Sequence, residues 1–181
     1  YKDVGVDLGI KDVATLSCGK KVKNGRYYRR YEKKLKVSQK AKKKKQIKTI
    51  HAKIRNKRLD DLHKASTEIA ENSKLVVVGD FGAKNLAKTR MAKSIHDAGT
   101  SMFRNMLKYK ASARGHMYIE VSEYLSTQIC SSCEKIPTSA PKGVKDLEVR
   151  EWVCSNCDVL HDRDQNAALN ILRFGHESLV S

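Results

Sequence analysis

Long hydrophobic runs and acidic residues are both scarce in this chain of 181 residues. No stretch of about 18 apolar residues occurs, and a membrane-spanning helix needs at least that length. No signal peptide is recognisable, although the sequence begins with Tyr1 rather than Met. Internal repeats and low-complexity segments are also missing, apart from one lysine-rich run. We therefore expect a globular, non-membrane protein with one core domain and a small additional module.

The shortage of acids leaves a strong positive charge. Lys and Arg total 37 against 20 Asp and Glu, so the formal net charge is +17. A field of this strength favours a polyanionic partner. Nucleic acid is the first interpretation, and an anionic membrane surface is the alternative.

Cysteine is limited to five residues, and four of them form two CxxC pairs. The pairs are Cys130 with Cys133 and Cys154 with Cys157, separated by a spacer of 20 residues. This spacing is typical of a zinc ribbon, in which four thiolates hold one tetrahedral Zn²⁺. It indicates metal in a reducing compartment, which we expect to be the cytoplasm, rather than a disulfide framework. His161 is interpreted as the partner of a nearby acid or backbone group rather than as a further ligand.

The apolar segments predict an α/β fold. Short runs around Val4–Leu8, Val13–Ser17 and Val22–Tyr28 indicate an antiparallel meander of three strands. Lys74–Gly79 reads as a strand buried on both faces, and Met117–Val121 as a fifth strand. Helical segments between the last strands complete the prediction of a five-stranded mixed sheet with flanking helices, followed by the ribbon and a terminal helix.

The lysine-rich run is predicted to be one long amphipathic helix from Lys33 to Lys64. Ile47, Ile50 and Ile54 recur at helical spacing and form its apolar stripe. The opposite face is either a solvated surface or, as we prefer, a surface that binds the phosphate backbone. The residues assigned to it are Lys40, Lys43, Lys44, Lys45, Lys48, Lys53, Arg55 and Arg58.

Acidic residues follow several of the predicted strands. Asp7 ends the first strand, Asp80 follows the fourth, Glu123 follows the fifth, and Asp164 begins the terminal helix. Ligands of such sheets bind beyond the carboxyl ends of the strands. Converging carboxylates there would hold two divalent cations about 3.5–4 Å apart, and Mg²⁺ prefers such oxygen ligands. A basic protein with this cluster is predicted to be a nuclease.

Five segments in one order resemble the catalytic half of the TnpB family. They are VGVDLGIKDVATLS, NKRLDDLHK, VVVGDFGAKNL, STQICSSC with CSNC, and HDRDQNAALNIL. TnpB proteins are transposon-encoded relatives of type V CRISPR effector nucleases. The resemblance covers nearly the whole chain but lacks the amino-terminal half of the family.

The resemblance implies a RuvC (RNase H-like) domain with an inserted zinc ribbon. It further implies an RNA-guided DNA endonuclease that uses Mg²⁺, with a guide RNA and DNA as partners. Asp7 falls on the first catalytic position and Asp164 on the third. The expected segments are a RuvC core over 1–125, the ribbon over 126–160 and the terminal RuvC part over 161–181.

One departure from the family pattern affects the second acid. The family has Glu-Asp after the fourth strand, whereas this chain has Gly79 followed by Asp80. Glu123 follows the neighbouring parallel strand, and adjacent strands lie about 4.8 Å apart. We therefore predict that Glu123 reaches the space left by Gly79 and restores a set of three acids, Asp7, Glu123 and Asp164.

Two other interpretations stay open at this point. In the first, Glu123 is a solvated loop acid and the chain is a nuclease-dead nucleic-acid-binding TnpB derivative. In the second, the chain is a plain zinc-ribbon binding module, although such a module gains nothing from carboxylates that face phosphate.

A second departure from the family pattern lies after each cysteine pair, where the family usually has glycine and this chain has Glu134 and Asp158. A glycine would take a positive φ there at little cost.

Overall fold

A meander of three antiparallel strands opens the fold. The computed structural model describes residues 3–80, 94, 97–142, 146 and 148–180. The strands are β1 (Asp3–Leu8), β2 (Asp12–Leu16) and β3 (Lys21–Lys23). Gly19 has a φ of 85° in the turn that precedes β3. Only glycine adopts this conformation without steric cost, which explains why the chain can reverse so sharply here.

Two parallel strands complete the central sheet. Strand β4 (Leu75–Gly79) pairs with β1, and β5 (Met117–Val121) pairs with β4. The spatial order is β3-β2-β1-β4-β5, and all five residues of β4 are buried. The predicted five-stranded mixed sheet is confirmed.

The basic segment forms a helical hairpin rather than the single long helix predicted. Helix α1 (Tyr27–Lys40) and helix α2 (Lys44–Asn72) are separated by a turn in which Lys42 has a φ of 51°. The prediction that Tyr27 and Tyr28 belong to a strand is also wrong. Arg26 takes the left-handed conformation and lets α1 begin there. The tyrosines then pack against apolar residues of both helices, which gives the hairpin its own small core.

Helices cover both faces of the sheet. Helix α3 (Thr100–Ala113) and α2 enclose one face, where Val4, Val6, Val76 and Val78 form the main core. The sequence of 88–114 predicts one or two helices with an apolar stripe, a break or kink at Gly99 and an end at Gly115. Gly99, with a φ of 71°, precedes α3, and Gly115, with a φ of 67°, follows it, so the break and the closing glycine are confirmed. Met91 and Ile95 of the predicted stripe lie outside the described residues.

Helix α4 (Arg163–Val180) covers the opposite face, on which Leu75, Val77 and Ile171 are buried together. The ribbon carries a second small sheet of β6 (Glu151–Val153) and β7 (Leu160–Asp162). Strand β7 runs directly into α4 without a linker. Among the described residues, no helix has the length and hydrophobicity that crossing a bilayer requires.

Candidate functional site

Three acids from distant parts of the sequence form one electrostatic cluster. Asp7 lies near the end of β1, Glu123 two residues beyond β5, and Asp164 in the first turn of α4. Burial raises the pKa of Asp7 well above its ordinary value. The charges of Glu123 and Asp164 raise this pKa further, whereas Arg163 opposes the shift. Each of these carboxyl groups therefore makes ionisation of Asp7 more costly.

The Glu123 side chain lies over the α-carbon of Gly79. A β-carbon added to Gly79 would be 2.6 Å from Cγ of Glu123, would collide with its Oε1, and would be 2.8 Å from Cδ1 of Ile171. The glutamate therefore fills the space that a side chain at position 79 would need. Its position on the α4 face follows from the alternation of β4, in which Leu75, Val77 and Gly79 share one side.

The carboxyl of Glu123 is unusually placed for an acid. Its Oε1 is buried and has no hydrogen-bond partner among the described residues. Burial, followed by the charge of Asp80, raises the pKa of Glu123 to about 7. A buried carboxylate without a partner is costly, so this group needs either a proton or a cation.

The two other acids near these strand ends point away from the cluster. Asp80 is 63 % exposed and pairs with Arg104 at 3.2 Å. Glu120 accepts a hydrogen bond from the Tyr118 hydroxyl at 3.0 Å and also pairs with Arg104, at 3.5 Å. Arg104 belongs to α3, on the opposite face of the sheet from α4. The alternation of side chains thus directs both acids to the opposite face from Glu123, as the sequence pattern predicts, but the charge of Asp80 still raises the pKa of Glu123.

Asp162 and Asp164 serve different purposes although they are two residues apart. Asp162 accepts a hydrogen bond from the Gln165 amide at 2.9 Å, which caps α4, and pairs with Lys21 at 2.6 Å. Partial burial acts to raise the pKa of Asp162, but Lys21 and the backbone amides outweigh it and lower the pKa. Asp164 is instead paired with Arg150 at 3.5 Å. Sequence reasoning missed Arg150, because it lies in the ribbon spacer without any local motif.

Asp7, Glu123 and Asp164 are candidate ligands for a hard divalent cation, although among the described residues only the four paired cysteines form a group whose ligand atoms all lie within 4.8 Å of one another. Mg²⁺ prefers oxygen ligands and is usually bound through a small number of carboxylates. The Oε1 of Glu123 has no hydrogen-bond partner among the described residues, and burial raises the pKa values of both Asp7 and Glu123. Glu123 occupies the space above Gly79, whereas a metal-ligand role for Asp7, Glu123 and Asp164 stays a prediction.

The four paired cysteines converge in the ribbon. Their sulfur atoms lie within 4.8 Å of one another, with Cys130 and Cys157 at 3.7 Å and Cys133 and Cys154 at 3.8 Å. A tetrahedral zinc with Zn–S bonds of about 2.3 Å separates its sulfurs by about 3.8 Å. The cluster thus fits a structural zinc ion.

The two knuckles of the ribbon have matching backbone geometry. The amide of Glu134 donates to the Cys130 carbonyl at 2.8 Å, and that of Asp158 donates to the Cys154 carbonyl at 2.9 Å. Glu134 and Asp158 have φ values of 59° and 55°, which is the region where the sequence comparison expected glycine. His161 lies beside the cluster, with Nε2 3.1 Å from the sulfur of Cys130. It contacts a thiolate ligand, rather than the acid or backbone group predicted.

The ribbon and the acidic cluster are mechanically connected. Strand β7 ends at Asp162, two residues before Asp164. On α4, the side-chain amides of Asn166 and Asn170 donate to the carbonyl of Ile129 at 2.8 and 2.7 Å, next to Cys130. Asn166 also accepts a hydrogen bond from the Ser131 amide at 2.9 Å. The first knuckle is thus fixed to the same helix that carries Asp164.

The helical hairpin presents most of the predicted basic residues to solvent. Seven of the eight are exposed, on both sides of the turn between α1 and α2. Arg58 is different, because its side chain is only 16 % exposed and pairs with the buried Asp97 at 3.1 Å. Asp97 also accepts a hydrogen bond from the Tyr28 amide at 2.9 Å. Arg58 therefore holds the hairpin together and is not part of its exposed basic surface.

Two family models match successive parts of the chain. Residues 1–90 match a family described as "Probable transposase", and residues 101–171 match the family "Cas12f1-like, TNB domain". These two regions contain Asp7 and Gly79 in the first and Glu123, the four cysteines and Asp164 in the second.

Curated relatives match over almost the full chain. One from Streptomyces pristinaespiralis, described as "Putative RNA-guided DNA endonuclease", is 36% identical over 95% of this chain and 45% of the relative. InsQ of Escherichia coli K12, with the same description, is 29% identical over 98% of this chain and 50% of the relative. TnpB-like protein L79 of Acanthamoeba polyphaga mimivirus is 28% identical over 71% of this chain. The chain spans half or less of the length of these relatives.

The fold is shared with chains of two solved Cas12f complexes. A chain in a Cas12f1–sgRNA–target DNA complex superimposes with a TM-score of 0.66 at 18% identity, over 94% of this chain and 49% of that one. A chain of a CRISPR-Cas12f ternary complex gives 0.64 at 17% identity. At this level of identity, the similarity supports the RuvC-type architecture.

Proposed function

The chain belongs to the TnpB family, and on that premise we propose that it is the core of a metal-dependent DNA endonuclease with a relocated second acid. Asp7, Glu123 and Asp164 form its ligand set. The observation that carries the proposal is the Glu123 side chain in the space above Gly79. A glutamate in any other direction would leave the cluster with two acids and favour the nuclease-dead alternative.

Each residue of the cluster has a distinct task in this proposal. Asp7, Glu123 and Asp164 would hold two Mg²⁺ ions, which supply an activated water and neutralise charge during in-line displacement at a phosphodiester. Asp7, which is partly buried near the end of β1, would contribute carboxylate oxygens to the ions. Glu123 approaches from beyond β5, so its side chain crosses the width of one strand spacing. Arg150 holds the Asp164 carboxyl by an ion pair at 3.5 Å.

The nucleic-acid partner is proposed to bind along the helical hairpin. Lys40, Lys43, Lys44, Lys45, Lys48, Lys53 and Arg55 are exposed there. Phosphate contacts of this kind bind any sequence and lose affinity as salt increases. The relatives are described as RNA-guided, and we propose that this chain likewise acts with a guide RNA when it is part of a full-length protein. Copurification of a defined RNA with the full-length protein tests this part of the proposal.

Cleavage of labelled single-stranded and double-stranded DNA tests the central proposal. We expect Mg²⁺-dependent cleavage by the full-length form and its loss in Glu123→Gln, because a neutral amide cannot replace a carboxylate ligand. DNA binding should remain within about twofold, since the phosphate contacts are elsewhere. Glu120→Gln is the matched control, because Glu120 lies three residues away and pairs with Arg104 instead.

The outcome separates the two functional readings. Full cleavage by the Glu123→Gln variant would contradict the relocated ligand set. Absence of cleavage by the unmodified protein, with intact DNA binding and with no effect of Mg²⁺ on its thermal stability, would favour the nuclease-dead binding protein.

A further inference from the structure

A small basic cavity lies beside the acidic cluster, and the proposed function assigns it no role. Its volume is about 240 Å³. The cations around it are Lys11, Arg26, Arg29 and Arg150. Small-molecule sites usually occupy roughly 300–1,000 Å³, so this cavity is too small for a typical cofactor. It is large enough for a compact anion.

Most of the charged side chains that line the cavity are positive. Among the described residues that line it, Asp97 is the one acid, and it is already paired with Arg58 at 3.1 Å and hydrogen-bonded to the Tyr28 amide. Lys11 and Arg26 are exposed and have no ion-pair partner within the parts of the chain that the structure describes. Unpaired cations held together repel one another, and an anion between them removes this cost.

Two loops that form the rim are held in place by Asn24. Its side-chain amide donates to the Ile10 carbonyl at 2.8 Å, and its side-chain oxygen accepts from the Arg26 amide at 2.9 Å. Arg26 itself has a φ of 46° and a ψ of 40°, a left-handed conformation that is uncommon for a residue with a side chain. Strained positions of this kind persist where the surroundings determine them and concentrate at binding sites. The rim is therefore preorganised.

Arg150 connects the cavity to the acidic cluster. It lines the cavity and pairs with the Asp164 carboxyl at 3.5 Å. An anion in the cavity is therefore one side chain away from a proposed catalytic acid. A nucleic-acid strand that passes the acids would place a neighbouring phosphate within reach of this basic rim.

We propose that the cavity bounded by Lys11, Arg26, Arg29 and Arg150 binds a backbone phosphate of the DNA strand that enters the acidic cluster. The choice of DNA rests on the proposed function, whereas the choice of a phosphate rests on the cavity itself. Arg26 and Arg29 act as positioning residues, since they hold the strand and do not contact the reacting atoms. The site is separate from the basic turn of the hairpin, because α1 has 14 residues and so extends about 20 Å between them.

Protection from an arginine-specific reagent tests the site directly. The Glu123→Gln form of the full chain is treated with phenylglyoxal, with and without a short single-stranded oligothymidylate, and labelled peptides are quantified by mass spectrometry. We expect DNA to protect Arg26, Arg29 and Arg150, and an RNA of equal length to protect them less. Equal labelling with and without DNA, or preferential protection by RNA, would overturn the proposal. Protection by concentrated inorganic phosphate but not by DNA would indicate an adventitious ion only and would also overturn the proposal.

A charge-matched pair of variants provides an independent measurement. The triple variant Lys11→Gln, Arg26→Gln, Arg29→Gln should bind the oligonucleotide about tenfold more weakly. The control variant Lys74→Gln, Lys108→Gln, Lys142→Gln removes the same charge from exposed positions outside the helical hairpin and should have a clearly smaller effect. Equal losses in the two variants would mean that only total charge matters.

The two proposals fail in different ways. If the full-length protein does not cleave DNA but Arg26 and Arg29 are still protected, the nuclease proposal fails and the phosphate site remains. If cleavage depends on Glu123 but the pocket variant retains the KM of the unmodified protein, the phosphate site fails and the nuclease proposal remains.

Discussion

Glu123 and Gly79 share one side-chain position between two neighbouring strands. Gly79 ends β4 and pairs with Val121 of β5, and the glutamate that follows β5 extends over the glycine. A substitution at either residue therefore alters the space available to the other.

Exchanging the two positions tests whether the acid can return to β4. Gly79→Glu alone should destabilise the protein by about 1–3 kcal/mol, because the new side chain competes with Glu123 and Ile171. Glu123→Ala alone should lose Mg²⁺-dependent thermal stabilisation. The double variant Gly79→Glu, Glu123→Ala should regain this stabilisation. Gly79→Gln, Glu123→Ala has the same bulk without the charge, and its recovery to the same degree would contradict a ligand role.

The raised pKa of Glu123 predicts a pH dependence of stability without added divalent cation. The pKa is about 7 in the folded protein against 4.5 for the ordinary group, so the folded state holds this proton more tightly. The resulting stabilisation is fully present below about pH 4.5 and is lost as the pH rises through 7. The Tm should therefore fall between pH 5 and 8 by more in the unmodified protein than in Glu123→Gln. Identical pH profiles would show that Glu123 titrates normally.

Mg²⁺ should reverse part of this loss at pH 8, because a bound cation compensates the ionised cluster and stabilises the state that binds it. Glu120→Gln should respond as the unmodified protein does, since Glu120 is paired with Arg104.

Loss of one zinc ligand should unfold the ribbon and leave the central sheet folded. Structural zinc contributes about 10–16 kcal/mol of apparent binding free energy in small zinc domains, so Cys154→Ser removes the main support of the second knuckle. We expect no bound zinc by elemental analysis and loss of hydrogen-exchange protection confined to the ribbon and the start of α4. Cys18→Ser is the control, because Cys18 is exposed and outside the cluster. A full zinc content in Cys154→Ser would contradict the assignment.

Reversing the charge at the turn of the hairpin should weaken nucleic-acid binding irrespective of sequence. Lys43, Lys44 and Lys45 are exposed and adjacent to the turn between α1 and α2. Their replacement by Glu should make the dependence of log affinity on log salt less steep, by about 2–3 units of slope for these three positions. Measurements with oligonucleotides of unrelated sequence should change in parallel. Selective loss for one sequence would indicate base recognition instead.

Sequence patterns predicted those parts of the fold that depend on local composition. The continuous apolar run of β4 and the CxxC spacing each have a single structural interpretation, and both were placed correctly. The predicted reach of Glu123 also agrees with its contact above Gly79, because the spacing of neighbouring strands, about 4.8 Å, is within the length of a glutamate side chain. Its function as a metal ligand stays a prediction.

The errors arise where a residue other than glycine takes a positive φ value. Arg26 and Lys42 both take positive φ values, and neither residue type signals a turn. As a result the start of α1 was assigned to a strand and the hairpin was predicted as one helix. The basic cavity was missed for another reason. Its lining residues come from four separate segments, and only the packing of the chain brings them together.

The continuity of β7 with α4 determines when the three acids can come together during synthesis and folding. Asp7 and Glu123 precede the second cysteine pair in the chain, whereas Asp164 follows it. Until the ribbon has closed around its metal, the third acid has no fixed place, although the hairpin already carries its exposed lysines. Under the proposed function, an immature or zinc-starved molecule would hold nucleic acid without cutting it. Folding of the ribbon would then be a requirement for nuclease activity but not for nucleic-acid binding.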